Sequence, residues 1–358
     1  MPGVYISYPF CAQKCTFCNV ASGVYSGETK ERYERALMRE IRAHEWSWQP
    51  ETVYLGGGTP SLMRTELFGE IMDAIPRERV IEATMECAPG TLTPGLVETW
   101  ARCGINRVSL GVQSFVTEEL RQVGRRHTME VVRDEMGMLR AGGITNINID
   151  LIAGLPGQTM QSWNESLDWI ERLAPPHVSV YVFEIDEDSR LGSEAIRGGT
   201  RYGASKLPGE ELTAELYEQA VGRLAQLGIE RYEISNFARP GWESRHNLKY
   251  WKLEPYIGFG LDAHSFDGRQ RWGNPDALDE YLDKRHTSRI ESDPGEEHFF
   301  VGLRLREGIE PTAGEWSRFE QPIRKWVEAG MLEREGARLR LSPHAVLISN
   351  EIFQEFVA

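Results

Sequence analysis

With 358 residues, 41% of them apolar and 26% charged, the chain has the material for one large domain and a smaller appendage, and its make-up is that of a folded soluble protein. Forty Lys and Arg stand against 54 Asp and Glu; the resulting net charge of −14 speaks against DNA or RNA as a partner, because nucleic-acid binding needs clustered cations on phosphates. No stretch reaches the roughly 20 apolar residues of a membrane helix, and the first residues lack a basic or apolar targeting segment, so a cytoplasmic protein is expected, compatible at most with peripheral membrane attachment.

Short β-rich runs at 4–8, 52–55, 80–86, 106–112, 145–152 and 177–183 alternate with amphipathic helical runs. That rhythm predicts a parallel βα array, folded as an open sheet or an incomplete barrel. Over 29–46, Tyr33, Leu37 and Ile41 recur every four residues, and a second helix is expected over 128–141 with Thr128 as its N-cap. A third ends near Cys103 at Gly104, a residue suited to the left-handed stop. The polar, glycine-rich stretch 184–209 reads as a long loop. A helix at 210–227, a Gly-rich apolar segment at 256–266 and a helix end with a hairpin in Glu328–Pro343 follow. The expected division is 1–185, 186–290 and a small C-terminal domain, 291–358.

Three of five cysteines fall within eight positions, as Cys11, Cys15 and Cys18, directly after the first strand. Three thiolates on one loop can bind three irons of a [4Fe–4S] cubane and leave the fourth open to another ligand. Structural zinc would ask for a fourth protein ligand, and no further Cys or His lies near this loop in sequence. Cys87 and Cys103 read as small buried hydrophobes. Function in parallel βα folds gathers at the C-terminal strand ends. There the chain places Gly56-Gly57-Gly58-Thr59-Pro60, Glu86, Gln113 and Asp150.

Through these segments the chain resembles the radical S-adenosylmethionine (SAM) proteins, in the group similar to oxygen-independent coproporphyrinogen III oxidase. Tyr5–Cys11, Tyr54–Leu62, Glu86–Thr91, Ser109–Phe115 and Asp150–Thr159 carry the resemblance, which spans nearly the whole chain. It implies an α/β fold, a (β/α)6 partial TIM barrel with a small winged-helix-like C-terminal domain. It also implies a cluster on Cys11, Cys15 and Cys18, a one-electron donor, and SAM contacted by Tyr5, Phe17, Gly57, Gly58, Thr59, Glu86, Gln113, Arg125 and Asp150. Within the group, Asn19-Val20 replaces the oxidase's further Cys, the oxidase's N-terminal extension is missing, and Ser7 stands where the family usually has His. The run His246-Asn247-Leu248-Lys249-Tyr250-Trp251 resembles instead the H-N-x-x-Y-W signature of the haem chaperones of this family. That resemblance implies haem as a third cofactor, His246 as its axial ligand and acceptor haemoproteins as partners. The alternatives are coproporphyrinogen decarboxylation and a radical methylase or haem-degrading activity on the same scaffold.

Overall fold

The computed structural model describes residues 2–283 and 289–357. Six strands, β1 (Gly3–Tyr8), β2 (Thr52–Gly57), β3 (Glu82–Cys87), β4 (Arg107–Gln113), β5 (Asn146–Ala153) and β6 (His177–Val182), pair in parallel in sequence order. Each coincides with an expected run to within two residues. Two short strands, β7 (Glu230–Arg231) and β8 (Asn236–Ala238), extend the sheet antiparallel beyond β6. At the other edge β9 (Tyr256–Phe259) runs parallel to β1, followed by antiparallel β10 (His264–Phe266), β11 (Gln270–Gly273) and β12 (Ile290–Glu291). Because β1 is flanked by β2 and β9, and β6 by β5 and β8, the sheet does not close: this is the partial barrel expected.

The pleat sends Val4, Ile6 and Tyr8 outward into the main core, against helices, and leaves Tyr5 and Ser7 on the other face. Parallel register then stacks inward residues into layers, with Glu86 opposite Ser109, Ser109 opposite Asn148, and Asp150 opposite Ser179. The lumen is therefore polar. Outside it, the helix Gly27–Ala43 starts where Ser26 accepts from the Thr29 amide, and it buries Tyr33, Leu37 and Ile41 on the stripe seen in sequence. It stops three residues short of the expected end, as the chain turns extended at His44. The helix Pro94–Arg102 is capped by Thr93 and ends before Gly104 at φ +94°, and Met160–Leu173 opens on a capping box of Thr159 and Ser162. Thr128 holds the N-cap position of Met129–Ala141 without a side-chain cap bond.

One expectation is corrected here. The stretch 184–209 is not a plain loop: it carries a helix, Arg190–Ile196, capped by Ser189, and a 3-10 segment, Arg201–Lys206. Buried Leu191 and Ala204 anchor it, apolar residues that the polar average concealed. Beyond the sheet, residues 299–356 form a second core around Phe299, Phe319, Leu339 and Phe356, with the hairpin β13 (Leu332–Glu335) and β14 (Arg338–Leu341) inside the run where it was expected.

Candidate cofactor site

The loop after β1 is clamped at its base, where the Cys11 amide donates to the Gly23 carbonyl at 2.9 Å and the Gly23 amide to Pro9, also at 2.9 Å. Its far side is held by Thr16, whose amide donates to Val123 and whose carbonyl accepts from Leu191 at 2.8 Å. The three cysteines are free thiols, each partly exposed. Cys18 Sγ lies 3.9 Å from Ser22 Oγ, and burial pushes the Cys11 thiol up while Thr59 and Ser22 pull it down. Among the described residues, no three His, Cys, Asp or Glu side chains are gathered to hold one metal ion. A cubane makes a different demand, one thiolate on each of three irons, which three thiols distributed on one anchored loop satisfy. The donor set fits a [4Fe–4S] cluster.

Beside this loop, β2 ends in a glycine run whose need is steric. Gly57 adopts φ +104°, and a Cβ on Gly58 would stand 2.7 Å from the Pro9 carbonyl carbon. Without side chains, this strand end zips onto the cluster loop, with Gly58 donating to Tyr8 and Thr59 to Phe10. Glu86 accepts from the Tyr54 hydroxyl at 2.9 Å. Asp150 accepts from Asn148 at 2.6 Å and from Ser109 at 3.2 Å. Burial, then repulsion from Asp150, raises the Glu86 carboxyl to about 7, and burial also raises Asp150. The Arg107 guanidinium, almost wholly buried, opposes both shifts. Two carboxylates with depressed ionisation suit a cationic guest such as the sulfonium and amino groups of SAM.

Gln113 closes β4 at φ +72°, where the β4–β5 register shifts, a costly backbone for a residue with a side chain. Arg125 donates to the Gly111 carbonyl at 2.6 Å, and its Nε is buried without a partner. A buried donor left open at a cleft is what an anionic group of a cofactor would fill. The cleft measures about 860 Å³ and brings together Cys11, Cys15, Cys18, Phe17, Gly57, Gly58, Thr59, Glu86, Gln113, Arg125 and Asp150. Tyr5 is one layer deeper, stacked on Tyr54 at 6.0 Å.

His246 is the exception: the structure places it away from this cleft. It sits in the helix Arg245–Trp251, which closes the opposite, N-terminal end of the barrel. Its Nδ1 is 2.8 Å from Thr52 Oγ1, at the start of β2, and its Nε2 is 2.8 Å from the Tyr250 hydroxyl. Glu82, at the start of β3, accepts from the amides of Arg245 and His246. The ring is buried, and burial with Lys249 and Arg107 pushes its pKa down to about 3, so it stays neutral. Both ring nitrogens are thus bonded inside the protein.

Sequence reading also missed residues of the lumen and cleft. Ser109 and Tyr181 line the cleft, and Tyr54 and Asn148 bond Glu86 and Asp150 below it; all four alternate with core positions along their strands, a period-two signal that was present but unassigned. Tyr217, Arg304, Leu347 and Asn350 reach the cleft from distant parts of the chain, and no local signal marks them.

Comparison with known proteins matches residues 5–170 to the Radical SAM superfamily. The heme chaperone HemW of Lactococcus lactis is 31% identical over 99% of this chain and 96% of its own length. HemW of Escherichia coli is 32% identical over 73% of this chain and 69% of its own. The solved structure of coproporphyrinogen III oxidase (HemN) from Escherichia coli shares the fold, with a TM-score of 0.82 at 21% identity over 99% of this chain and 90% of that one. A full-length match above 30%, joined to the cysteine loop and glycine strand end that frame the cleft, decides the relationship: this chain belongs to the radical SAM superfamily, in its HemW-like group.

Proposed function

We propose that this protein is a haem chaperone built on a radical SAM scaffold, which binds haem and hands it to acceptor haemoproteins. The observation that carries this reading is the HemW match over 99% of the chain, C-terminal domain included. Membership of the superfamily implies a [4Fe–4S] cluster and SAM, which together, when reduced, supply a 5′-deoxyadenosyl radical. The chain's own residues supply the setting. Cys11, Cys15 and Cys18 offer the thiolates, Glu86 and Asp150 balance positive charge, and Arg125, whose Nε lacks a partner, offers its guanidinium to an anionic group. The segment 186–206 is tied to the cluster loop, with Asn19 donating to Asp186 and Arg190 to the Lys14 carbonyl. Tyr5, Phe17, Gln113, Thr59, Gly57 and Gly58 complete the SAM contacts, and a one-electron donor is the remaining partner. No helix of the described residues is long and apolar enough to cross a membrane.

The test uses anaerobically reconstituted protein. Loaded with haemin and mixed with an apo-haemoprotein, it is expected to lose its Soret band to the acceptor. Incubated with SAM, a reductant and coproporphyrinogen III, it is expected to leave the substrate unchanged; a decarboxylated product would overturn the chaperone reading in favour of the oxidase one.

A further inference from the structure

A line of hydrogen bonds crosses the lumen from one end of the barrel to the other. It starts at Asp150, which accepts from Asn148 Nδ2 at 2.6 Å, and Asn148 Oδ1 in turn lies 2.6 Å from His177 Nδ1. On the far side of the ring, His177 Nε2 is 3.0 Å from the Tyr232 hydroxyl, and that oxygen accepts from the Ser244 amide at 3.2 Å. Ser244 is the N-cap of the helix Arg245–Trp251, so the line joins the cofactor cleft to the helix that closes the N-terminal end. Asn148, His177 and Ser244 are all buried.

Elementary donor and acceptor rules fix the direction of every bond in this line. A carboxylate only accepts, so Asn148 turns its NH2 group to Asp150 and its carbonyl to His177. That carbonyl needs a donor, and His177 therefore carries its proton on Nδ1. Burial, aided by the Arg107 guanidinium, pushes the His177 pKa well below its ordinary value, so the ring is neutral and Nε2 can only accept. Tyr232 is then the donor to Nε2. The Ser179 hydroxyl, 3.2 Å from Asn148 Oδ1 and 2.8 Å from Asn236 Oδ1, fits the same order. If the Asn148 amide were reversed, its carbonyl oxygen would press on the Asp150 carboxylate, acceptor against acceptor.

We infer that His177 is a positioning residue for Asp150: its Nδ1 proton locks the Asn148 amide toward the carboxylate, and Tyr232 locks the His177 tautomer. The inference rests on the reading of Asp150 as a SAM contact. The other charged and titratable groups facing Asp150 are Glu86 from β3, Arg107 from β4, Tyr54 from β2 and Tyr181 from β6. Of these, Glu86 repels the carboxylate and Arg107 attracts it, whereas Asn148 gives it a hydrogen bond whose direction His177 sets. In a buried network of this kind each bond holds the next in place, so a change two residues away reaches the carboxylate.

Calorimetric titration of SAM into the anaerobically reconstituted, unreduced protein, at matched iron–sulfur content and over pH 6 to 9, tests this. His177→Phe is expected to weaken SAM binding about tenfold at pH 6, the scale of one hydrogen bond to a charged group, and less at pH 9. The pH dependence arises because a carboxyl facing an acceptor keeps its proton to higher pH. His177→Asn, whose amide can donate where Nδ1 did, should match the wild type, and Tyr232→Phe, which removes one oxygen atom, should weaken binding about threefold. Asp150→Asn is the reference for loss of the carboxylate. If it binds SAM as the wild type does, Asp150 is not a SAM contact, and the reading beneath this inference falls with it. If Asp150→Asn weakens binding while His177→Phe and Tyr232→Phe do not, or if His177→Phe loses the same factor at every pH, only the positioning role is overturned. Should His177→Phe not fold, Tyr232→Phe binding equal to wild type overturns it by itself.

Discussion

The two ends of the barrel are built from the same residue types and do opposite work. At the N-terminal end, Glu82 and His246 are buried, Tyr250 is half-buried, and every polar group named there has a partner. At the C-terminal end, Glu86 and Asp150 are half-buried with raised pKa values, Gln113 is held at positive φ, and Arg125 Nε lacks a partner. Burial of a titratable side chain therefore does not mark a site. Incomplete satisfaction next to open space does, because only an unfinished network gains from a guest.

The sharpest way to break this contrast is to remove the thiols. Cys11→Ala, Cys15→Ala or Cys18→Ala should abolish the visible absorbance of the reconstituted cluster, since two thiolates cannot retain a cubane that has one open iron. Four irons per chain in all three variants would mean the loop is not a cluster site.

At the closed end, Glu82→Ala strands two buried backbone amides, and we expect a loss of about 3 kcal/mol of stability with cluster content unchanged. His246→Ala should cost about 2 kcal/mol by the same logic. Urea denaturation reads both, and a midpoint equal to wild type in each would show that the plug helix contributes nothing.

The open end should respond the other way. Glu86→Gln removes a repelling carboxylate, so SAM binding is expected to weaken by about 1–3 kcal/mol while the unliganded protein becomes no less stable. The same group sets a pH signature. Its folded value of about 7 exceeds the ordinary 4.5, so its contribution to stability is full below pH 4.5 and is lost as pH rises through 7. The window carries about 3 kcal/mol, which Glu86→Gln should erase. Unfolding measured at pH 5 and pH 8 checks it, and an unaltered pH dependence in the variant would contradict the assignment.

The smallest effect belongs to Gln113→Gly. Relief of the positive φ should stabilise the fold by about 1 kcal/mol while weakening SAM binding, as measured by calorimetry. A variant that loses stability would mean that the Gln113 side chain, rather than its backbone strain, dominates there.

Much of the scaffold was legible in the chain itself. β-Rich runs and amphipathic helices placed the parallel strands β1 to β6, because period-two and period-3.6 patterns are local consequences of burying one face. Cys11, Cys15, Cys18 and the glycine strand end were legible for a related reason: three thiols on one loop and a backbone that must pass close to another are constraints on neighbouring residues. The polar lumen was only half legible, since Tyr54, Ser109 and Asn148 show alternation but not which guest or partner they face.

His246 and His44 show where local reading ends. In sequence, His246 stands beside Tyr250 and Trp251 in what resembles a haem-chaperone motif, and His44 is one more residue near a helix end. Folding sets their surroundings: Thr52 and Tyr250 bond both nitrogens of His246, while the aromatic rings around His44 leave its buried Nε2 without a hydrogen bond. The chain by itself determined the parallel array, the cluster loop and the glycine strand end, all set by residues close in sequence. Only the tertiary structure decided which histidine is closed off, which carboxylates face one another and which distant side chains wall the cleft. Those outcomes depend on contacts between segments two hundred residues and more apart, which no local pattern encodes.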